Sequence, residues 1–171
     1  MMTDRSQGET PLVQFNERLT NSAAFGTLFR EGMDLVEETA AYLDGVGRTE
    51  AKALDRAVSL TYATESMRLT TRLMQLASWL LLHRAVKEGE MTLTQANREK
   101  TKVKLSAADP GPADMIEKLP AQLQDLIARS MALQGRVRRL DATIHAPTTE
   151  RAPIGNPLVP QLNRLKAAFE Q

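Results

Sequence analysis

Apolar residues recur along most of the chain at the spacing of amphipathic helices. In residues 22–44 they follow one another at steps of three, four and seven, and this periodicity predicts a first helix. Gly45 and Gly47 predict a turn after it. The next apolar pattern begins at Thr49, a suitable N-cap, and continues to Glu88, with Gly89 as a C-terminal stop. It predicts a central helix of about 40 residues, roughly 60 Å long.

The last long helix, predicted from Pro120 to Ile144, has the most regular pattern. Steps of four and three connect its seam, in which Ser130 is the one polar residue: Leu119, Leu123, Leu126, Ser130, Leu133, Val137, Leu140 and Ile144. Such a heptad seam is typical of near-antiparallel bundle packing. Thr92 and Gln95 fit a capping box that starts a short basic helix, and residues 106–114 predict a loop.

These elements, with no convincing strand, predict an all-α fold. We expect an antiparallel three-helix bundle with one very long central helix, a short connecting helix and a flexible C-terminal tail. Residues 1–20 are expected to be loosely ordered, residues 21–145 to form the bundle domain, and residues 146–171 to form the tail.

The tail combines a Pro-rich linker with a small apolar cluster. Its four prolines favour an extended chain without helix or sheet. Most of the apolar residues that follow share one face of a potential short helix, and we expect five residues to contact a partner: Leu158, Val159, Leu162, Leu165 and Phe169. Two alternatives stay open, namely that the tail folds back onto the bundle or that it frays.

The central helix has apolar residues on more than one stripe. Met67, Met74 and Leu81 step by seven on a second line beside the main apolar line. A helix that is apolar on several sides is covered on several sides. The helix therefore either lies in the middle of the bundle or uses this stripe as a contact between subunits.

Glu65 interrupts the main apolar line of the central helix. A buried carboxylate is costly unless it is paired, and Arg68 and Arg72 lie within reach along the same side. One interpretation is a polar layer that fixes helix register, or a plain surface position. The other is a polar notch for a partner, formed by Glu65, Arg68, Thr71 and Arg72. Because Ser130 interrupts the last helix near its midpoint, we hypothesise that it shares one layer with Glu65.

Composition narrows the classes of function. The 171 residues include 42% hydrophobic and 25% charged residues, which is ordinary for one soluble domain, and the net charge of +1 does not favour nucleic acid or acidic lipid. Without cysteine, disulfides and thiolate chemistry are excluded. The apolar block from Leu73 to Leu82 is too short for a membrane span, which needs roughly 20 residues. The polar N-terminus lacks the apolar run of a signal peptide, so we expect a cytoplasmic protein.

Candidate catalytic chemistry is sparse. Neither His83 nor His145 has a carboxylate or a histidine at a metal-ligand spacing, and the two glycines at 45 and 47 join helices instead of following a strand. We therefore predict no catalytic residue, no metal site and no cofactor, and we do not expect an enzyme. A structural or dimerisation module and, less favoured, a DNA-associated regulator stay open. Solvated helix faces explain the basic stretches at 98–104 and 136–141.

Three stretches carry a resemblance to a known family. "LVEETAAYLDGVGR", "YATESMRLTTRLMQLASWLLLHRAVKEGEMT" and "SMALQGRVRRLD" together resemble the bacterial RcdA family (regulator of CtrA degradation), and "NPLVPQLNRL" resembles its apolar close. The likeness runs from about Phe25 to Asp141 and is most specific over residues 62–92.

The resemblance implies a non-enzymatic proteolytic adaptor built as a three-helix bundle and a homodimer. RcdA-like proteins help deliver cell-cycle regulators, including CtrA and other transcription factors, to the ClpXP protease. A priming response regulator, CpdR, and a cyclic-di-GMP effector, PopA, act with them. The resemblance also implies that the flexible C-terminal peptide matters for function and that the protein is concentrated at a cell pole with the protease.

Overall fold

The computed structural model describes residues 23–100, 110–144 and 159–169. Within these ranges the chain contains helices and no strand, so the all-α prediction is confirmed. The helices are α1 (Ala23–Asp44), α2 (Val46–Lys52), α3 (Arg56–Lys87), α4 (Leu93–Lys100), α5 (Ala113–Ile116), α6 (Ala121–Ile144) and α7 (Val159–Phe169). The N-terminal segment 1–20 and the Pro-rich part of the tail, about which the sequence made predictions, lie outside the described residues.

The three long helices α1, α3 and α6 enclose the core. The seam of α6 is confirmed, because its members are buried from Leu119 to Ile144 apart from the half-buried Leu140. Helices α1 and α3 approach closely at Gly32, where an added Cβ would lie 2.5 Å from Leu80 Cδ1. The Trp79 ring is 1% exposed and packs at 6.3 Å, centroid to centroid, from Phe25.

Contacts between the helices fix their relative directions. Arg129 of α6 donates to Glu38 of α1 at 2.7 Å, and Arg136, one heptad on, donates to Glu31 at 2.6 Å. Sequence numbers therefore rise along α6 as they fall along α1, and these two helices are antiparallel. Phe25, near the start of α1, contacts Trp79 in the C-terminal half of α3, so α1 and α3 are antiparallel as well.

Helices α3 and α6, in contrast, run in the same direction. Arg72 donates to Ser130, and Trp79 donates to Asp141, so residue numbers rise together along both helices. An antiparallel three-helix bundle always contains one parallel pair, and here this pair is α3 and α6 instead of the first and last helices that short connections would give. The physical reason is the long connection between Lys87 and Ala121, which brings the chain back toward the start of α3. A heptad seam reports burial but not direction.

The predicted central helix is interrupted near its start. Asp55 caps α3, and its Oδ1 accepts a hydrogen bond from the Val58 backbone N–H at 2.9 Å. Thr49, the predicted cap, lies inside α2, and so does Gly47, which leaves Gly45 alone between α1 and α2. The side chain of Asp55 satisfies an amide of the first turn, which favours a new helix start there over one continuous helix.

The other predicted helix ends agree with the structure. Gly89 has a φ of +74°, a left-handed conformation that suits glycine, and it follows the C-cap Glu88. The Thr92 hydroxyl accepts from the Gln95 N–H at 3.2 Å, while the Gln95 side-chain oxygen accepts from the Thr92 N–H at 2.9 Å. This reciprocal pair is the predicted capping box at the start of α4.

Candidate interaction site

The outward face of α3 carries a stripe of exposed apolar side chains. Leu60, Met67, Met74 and Leu81 are 71%, 72%, 66% and 52% exposed. They are spaced by seven residues, so the stripe follows one side of the helix for about 32 Å. Three of these residues were predicted as a contact stripe, and the structure adds Leu60 at the same spacing. We call these four residues the α3 stripe.

The surface around the α3 stripe is nearly free of charge. Between Arg56 and Arg84 the ionisable side chains of α3 are buried, except for the partly exposed Arg68. The outward face of α1 is different, because it exposes a dense set of charges: Arg30, Glu31, Asp34, Glu37 and Glu38. An uncharged apolar stripe of this length is unusual for a face that stays in water, and it is typical of a protein contact.

Three hydroxyl groups beside the stripe donate hydrogen bonds within the helix. The Thr64 hydroxyl donates to the Leu60 carbonyl at 3.0 Å, and Thr70 and Ser78 donate in the same way to Ser66 and Met74 at 2.8 and 2.9 Å. Because their donors are occupied, these side chains can be buried in a contact at a low desolvation cost. The stripe can therefore pack against another apolar surface along its whole length.

Glu65 is buried and holds the segment that precedes α5. It is 2% exposed, and its Oε1 accepts from Arg68 Nη1 at 2.6 Å and from the Gly111 N–H at 3.0 Å. A Cβ on Gly111 would lie 2.9 Å from this oxygen, so glycine permits the close approach. The second oxygen, Oε2, is buried without a hydrogen-bond partner. The predicted pairing of Glu65 with Arg68 is thus present, and its contact with Gly111 was not foreseen.

Arg72 and Ser130 form a separate polar contact inside the core. Arg72 is 1% exposed and donates from Nη1 to the Ser130 hydroxyl at 2.8 Å, while this hydroxyl donates to the Ile127 carbonyl at 2.7 Å. Ser130 therefore shares a layer of the core with Arg72. The hypothesis that it shares a layer with Glu65 is wrong, because Arg72 lies seven residues after Glu65 on α3. Because α6 is parallel to α3 and begins beside its N-terminal half, Ser130 lies further along α3 than Glu65.

The four residues of the predicted polar notch are consequently divided. Glu65 and Arg68 form one pair under the segment at Gly111, whereas Arg72 is enclosed between α3 and α6. Thr71 is exposed on the outward side of α3, beside the stripe. The structure therefore does not bring these four side chains into one notch.

Histidine and aromatic groups form a buried cluster at the C-terminal end of α3. His83 is fully buried and stacks on Trp79 at 3.9 Å between ring centroids, and its Nδ1 lies 2.9 Å from the Trp79 carbonyl oxygen. Trp79 Nε1 donates to Asp141 at 2.8 Å. His145 lies outside the described residues. In the part of the chain that the structure describes, no group of three or more His, Cys, Asp or Glu residues could hold a metal ion.

The remaining electrostatic features stabilise helix contacts. Arg129 lowers the pKa of Glu38 through a hydrogen bond across α6 and α1. Burial raises the pKa of the Tyr42 hydroxyl, which donates to Glu50 at 2.7 Å. None of the helices in the described ranges is both long and apolar enough to cross a membrane.

The predicted tail contact falls partly on α7. Residues 159–169 form this helix, as the apolar spacing suggested, and Leu165 is 56% exposed on it. Leu158 lies outside the described residues. The backbone of Val159, Leu162 and Phe169 is part of α7.

Comparisons with known proteins identify the family. A family model described as a protein of unknown function (DUF1465) matches residues 16–169. The crystal structure of RcdA from Caulobacter crescentus CB15 is similar to this chain, with 48% sequence identity and a TM-score of 0.64. The alignment covers 77% of this chain and 99% of that one. The chain belongs to the RcdA family.

Membership of the RcdA family confirms the resemblance found in the sequence. No curated protein matches the chain. The α3 stripe and the Glu65 pair both lie within the span that the RcdA family model matches. Sequence reasoning missed two residues of these sites, Leu60 and Gly111. The seven-residue step back from Met67 could have indicated Leu60. No local sequence pattern indicates that Gly111 contacts Glu65, because the two residues lie 46 positions apart.

Proposed function

We propose that this protein is a non-enzymatic proteolytic adaptor that helps deliver cell-cycle regulators, CtrA and other transcription factors among them, to the ClpXP protease. The observation that carries the proposal is membership of the RcdA family, with 48% identity over 99% of the RcdA chain. An adaptor needs surfaces for partners and no catalytic groups. The α3 stripe and the apolar face of the tail are surfaces of this kind.

The α3 stripe is the proposed homodimer contact. Its four apolar side chains are exposed by 52 to 72%, and between Arg56 and Arg84 the partly exposed Arg68 is the one ionisable side chain of α3 that is not buried. A surface of this kind carries no charge pattern that would repel an identical copy, so two stripes can pack face to face around a two-fold axis. Burying both stripes would remove the largest exposed apolar surface of α3 from water.

The tail is the proposed tether to the protease. Residues 145–158 join the end of α6 to the start of α7, and a chain of this length spans at most about 50 Å. A linked docking segment raises the local concentration of whatever it binds without adding contacts to the bundle. In this proposal α7 and its flanking residues contact the protease primed by the response regulator CpdR, while PopA and the cargo bind the bundle.

A truncation tests the tether directly. A chain ending at Ala152 lacks α7, and it should keep the melting temperature of the bundle but bind CpdR-primed ClpX more weakly, as measured by fluorescence anisotropy. In the full chain, Leu165→Ser should weaken the same interaction more than Lys166→Ser, which changes an exposed polar residue of the same helix. Unchanged affinity for every partner after truncation would refute the role of the tail.

A parallel binding measurement separates the adaptor from a DNA-associated regulator. Arg129 and Arg136 are paired with Glu38 and Glu31, which reduces the positive potential of α6. We expect no salt-dependent binding to random duplex DNA, together with saturable capture of the primed protease. Tight, salt-dependent DNA binding without capture of the protease would contradict the adaptor proposal.

A further inference from the structure

A line of small residues runs beside the α3 stripe on the exposed face of α3. Its members recur every seven positions, and each lies three residues after a member of the stripe: Ala63, Thr70 and Ala77. Ala63 and Thr70 are exposed, and Ala77 is half-buried. We call these three residues the small line. Together the two lines occupy the a and d positions of a heptad, so large and small side chains alternate along the face.

This alternation of sizes suits one direction of a second, identical helix. In a parallel pair, a positions face a positions and d positions face d positions, so large residues meet large ones and small residues meet small ones. Layers of two large side chains hold the helix axes apart and leave voids at the layers of two small ones. In an antiparallel pair, a positions face d positions, so each layer combines one large and one small side chain. The face therefore packs best against a reversed copy of itself.

Charged residues at the two ends of the face fix the register of such a pair. Arg56 precedes the small line by one heptad, and Glu88 follows the α3 stripe by one heptad. Both are exposed, and Glu88, the C-cap of α3, keeps the right-handed helical conformation, so it stays in phase with the stripe. When Glu88 of one copy faces Arg56 of the other, the spacing sets the other layers: Leu81 with Ala63, Met74 with Thr70, Met67 with Ala77, and Leu60 with Arg84.

Arg84 fits its layer in this register. Its Nε binds Glu88 of its own chain at 3.0 Å, so the aliphatic stem of Arg84 is left to cover Leu60 of the second copy. Glu88 then lies between Arg84 of its own chain and Arg56 of the second copy. A parallel pair would instead place Arg56, Arg84 and Glu88 each against its own counterpart, and like charges that face each other destabilise a contact.

We propose that two copies of this chain pack through their α3 stripes in antiparallel orientation, with each Arg56 paired to Glu88 of the other copy. The two-fold axis crosses α3 at the level of residue 72. This inference rests on the homodimer contact proposed above, and it adds the direction, the register and a charged pair at each end. A second copy is the occupant that the face fits, because its sizes and its charges both complement the same face reversed.

Disulfide trapping in the full chain tests the orientation. The chain has no cysteine, so Ala63→Cys and Leu81→Cys each introduce a single thiol. The two variants are mixed under reducing conditions, so that subunits exchange, and are then oxidised. The proposal places position 63 of one copy beside position 81 of the other, whereas the two copies of position 63 are separated by about 27 Å along the axis. We expect the mixed disulfide to dominate, and intact mass spectrometry identifies it because the two variants differ in mass.

A charge exchange tests the register. Arg56→Glu and Glu88→Arg should each weaken dimerisation at least about tenfold, because the pair occurs twice in each dimer, and the double variant should restore it to within about threefold. Glu88→Arg also removes the pair with Arg84, but the double variant lacks that pair as well, so restoration reports a contact between chains. Lys87→Glu is the matched control, since Lys87 is exposed in the same turn but continues the core-facing line of Leu73 and Leu80.

The possible results separate the orientation from the contact. Disulfides within each variant alone, a statistical mixture of the three products, or no disulfide in a chain that sediments as a dimer would overturn the antiparallel orientation. A double variant that dimerises no better than the single ones would overturn the register. A chain that does not dimerise at all would remove the proposed dimer contact itself, and the adaptor function is measured independently by the degradation of cargo.

Discussion

The α3 stripe gives the most quantitative prediction. Met67→Glu combined with Met74→Glu places two charges on each proposed dimer surface. Met67 and Met74 are 72% and 66% exposed in the single chain. The bundle should therefore tolerate the change, with a free energy of unfolding within about 0.5 kcal/mol of the unmodified chain. For a chain of this size that is a shift in melting temperature of about 2 °C or less.

The effect on self-association should be much larger. Full burial of a methionine side chain contributes about 1.5–3 kcal/mol. Because about two-thirds of each of these two side chains is exposed in the single chain, burying that part in a dimer contributes about 1–2 kcal/mol per side chain. A symmetric dimer contains each position twice, so Met67 and Met74 contribute about 4–8 kcal/mol. Losing the lower value alone weakens dimerisation about 10³-fold.

Sedimentation velocity over a concentration series measures this loss, and circular dichroism measures the stability of the bundle. Ala121→Glu combined with Ala128→Glu is the matched control, because it adds the same charges at the same seven-residue spacing on the exposed side of α6. The control should associate as the unmodified chain does. Equal dissociation constants for all three proteins, or the same loss in both variants, would refute the assignment of the dimer contact to the α3 stripe.

Three further predictions concern the bundle. Ser130→Ala removes the hydroxyl that accepts from the buried guanidinium described above, and it should lower the free energy of unfolding by about 1–3 kcal/mol in urea titrations. An unchanged midpoint of the urea titration would contradict the hydrogen bond between Arg72 and Ser130. Gly111→Ala places a Cβ 2.9 Å from Glu65 Oε1, and it should abolish the slow hydrogen exchange expected for the amide of residue 111; retained protection would contradict the close approach. The pKa of Glu38 is lowered by Arg129, so their pair stabilises the fold above the usual glutamate value of 4.5, and this contribution, less than about 1 kcal/mol for an exposed pair, is lost as pH falls through the folded value. Glu38→Gln should flatten the stability profile below pH 4.5, and an unchanged slope would show that the pair is not formed in solution.

Periodicity predicted the features of the fold that depend on local burial. The seam of α6 and the bounds of α1 follow from apolar spacing, because each buried position faces the core through its own helix. The break before α3 was missed because Leu54 and Val58 keep the apolar spacing across it. There the side chain of Asp55 decides the start of the helix, and a periodicity pattern is insensitive to one capping residue.

The relative direction of α3 and α6 is a tertiary property, and it could not be read from either helix. A seam has the same spacing in parallel and antiparallel pairs, whereas the contact of Arg72 with Ser130 depends on where the connection returns the chain. The same limit applies to Glu65. Its pairing with Arg68 is local and was predicted, but Gly111 lies 46 positions away in the sequence.

The degradation of a cargo protein in a reconstituted reaction tests the central claim most directly. The reaction contains ClpXP, CpdR and CtrA with PopA and cyclic-di-GMP, and it is run with and without this protein at several concentrations. The account predicts that cargo is lost faster when the full chain is present, and that the chain ending at Ala152 does not accelerate it. Equal rates of loss with and without the folded, intact protein, for CtrA and for other transcription factors, would contradict the adaptor function.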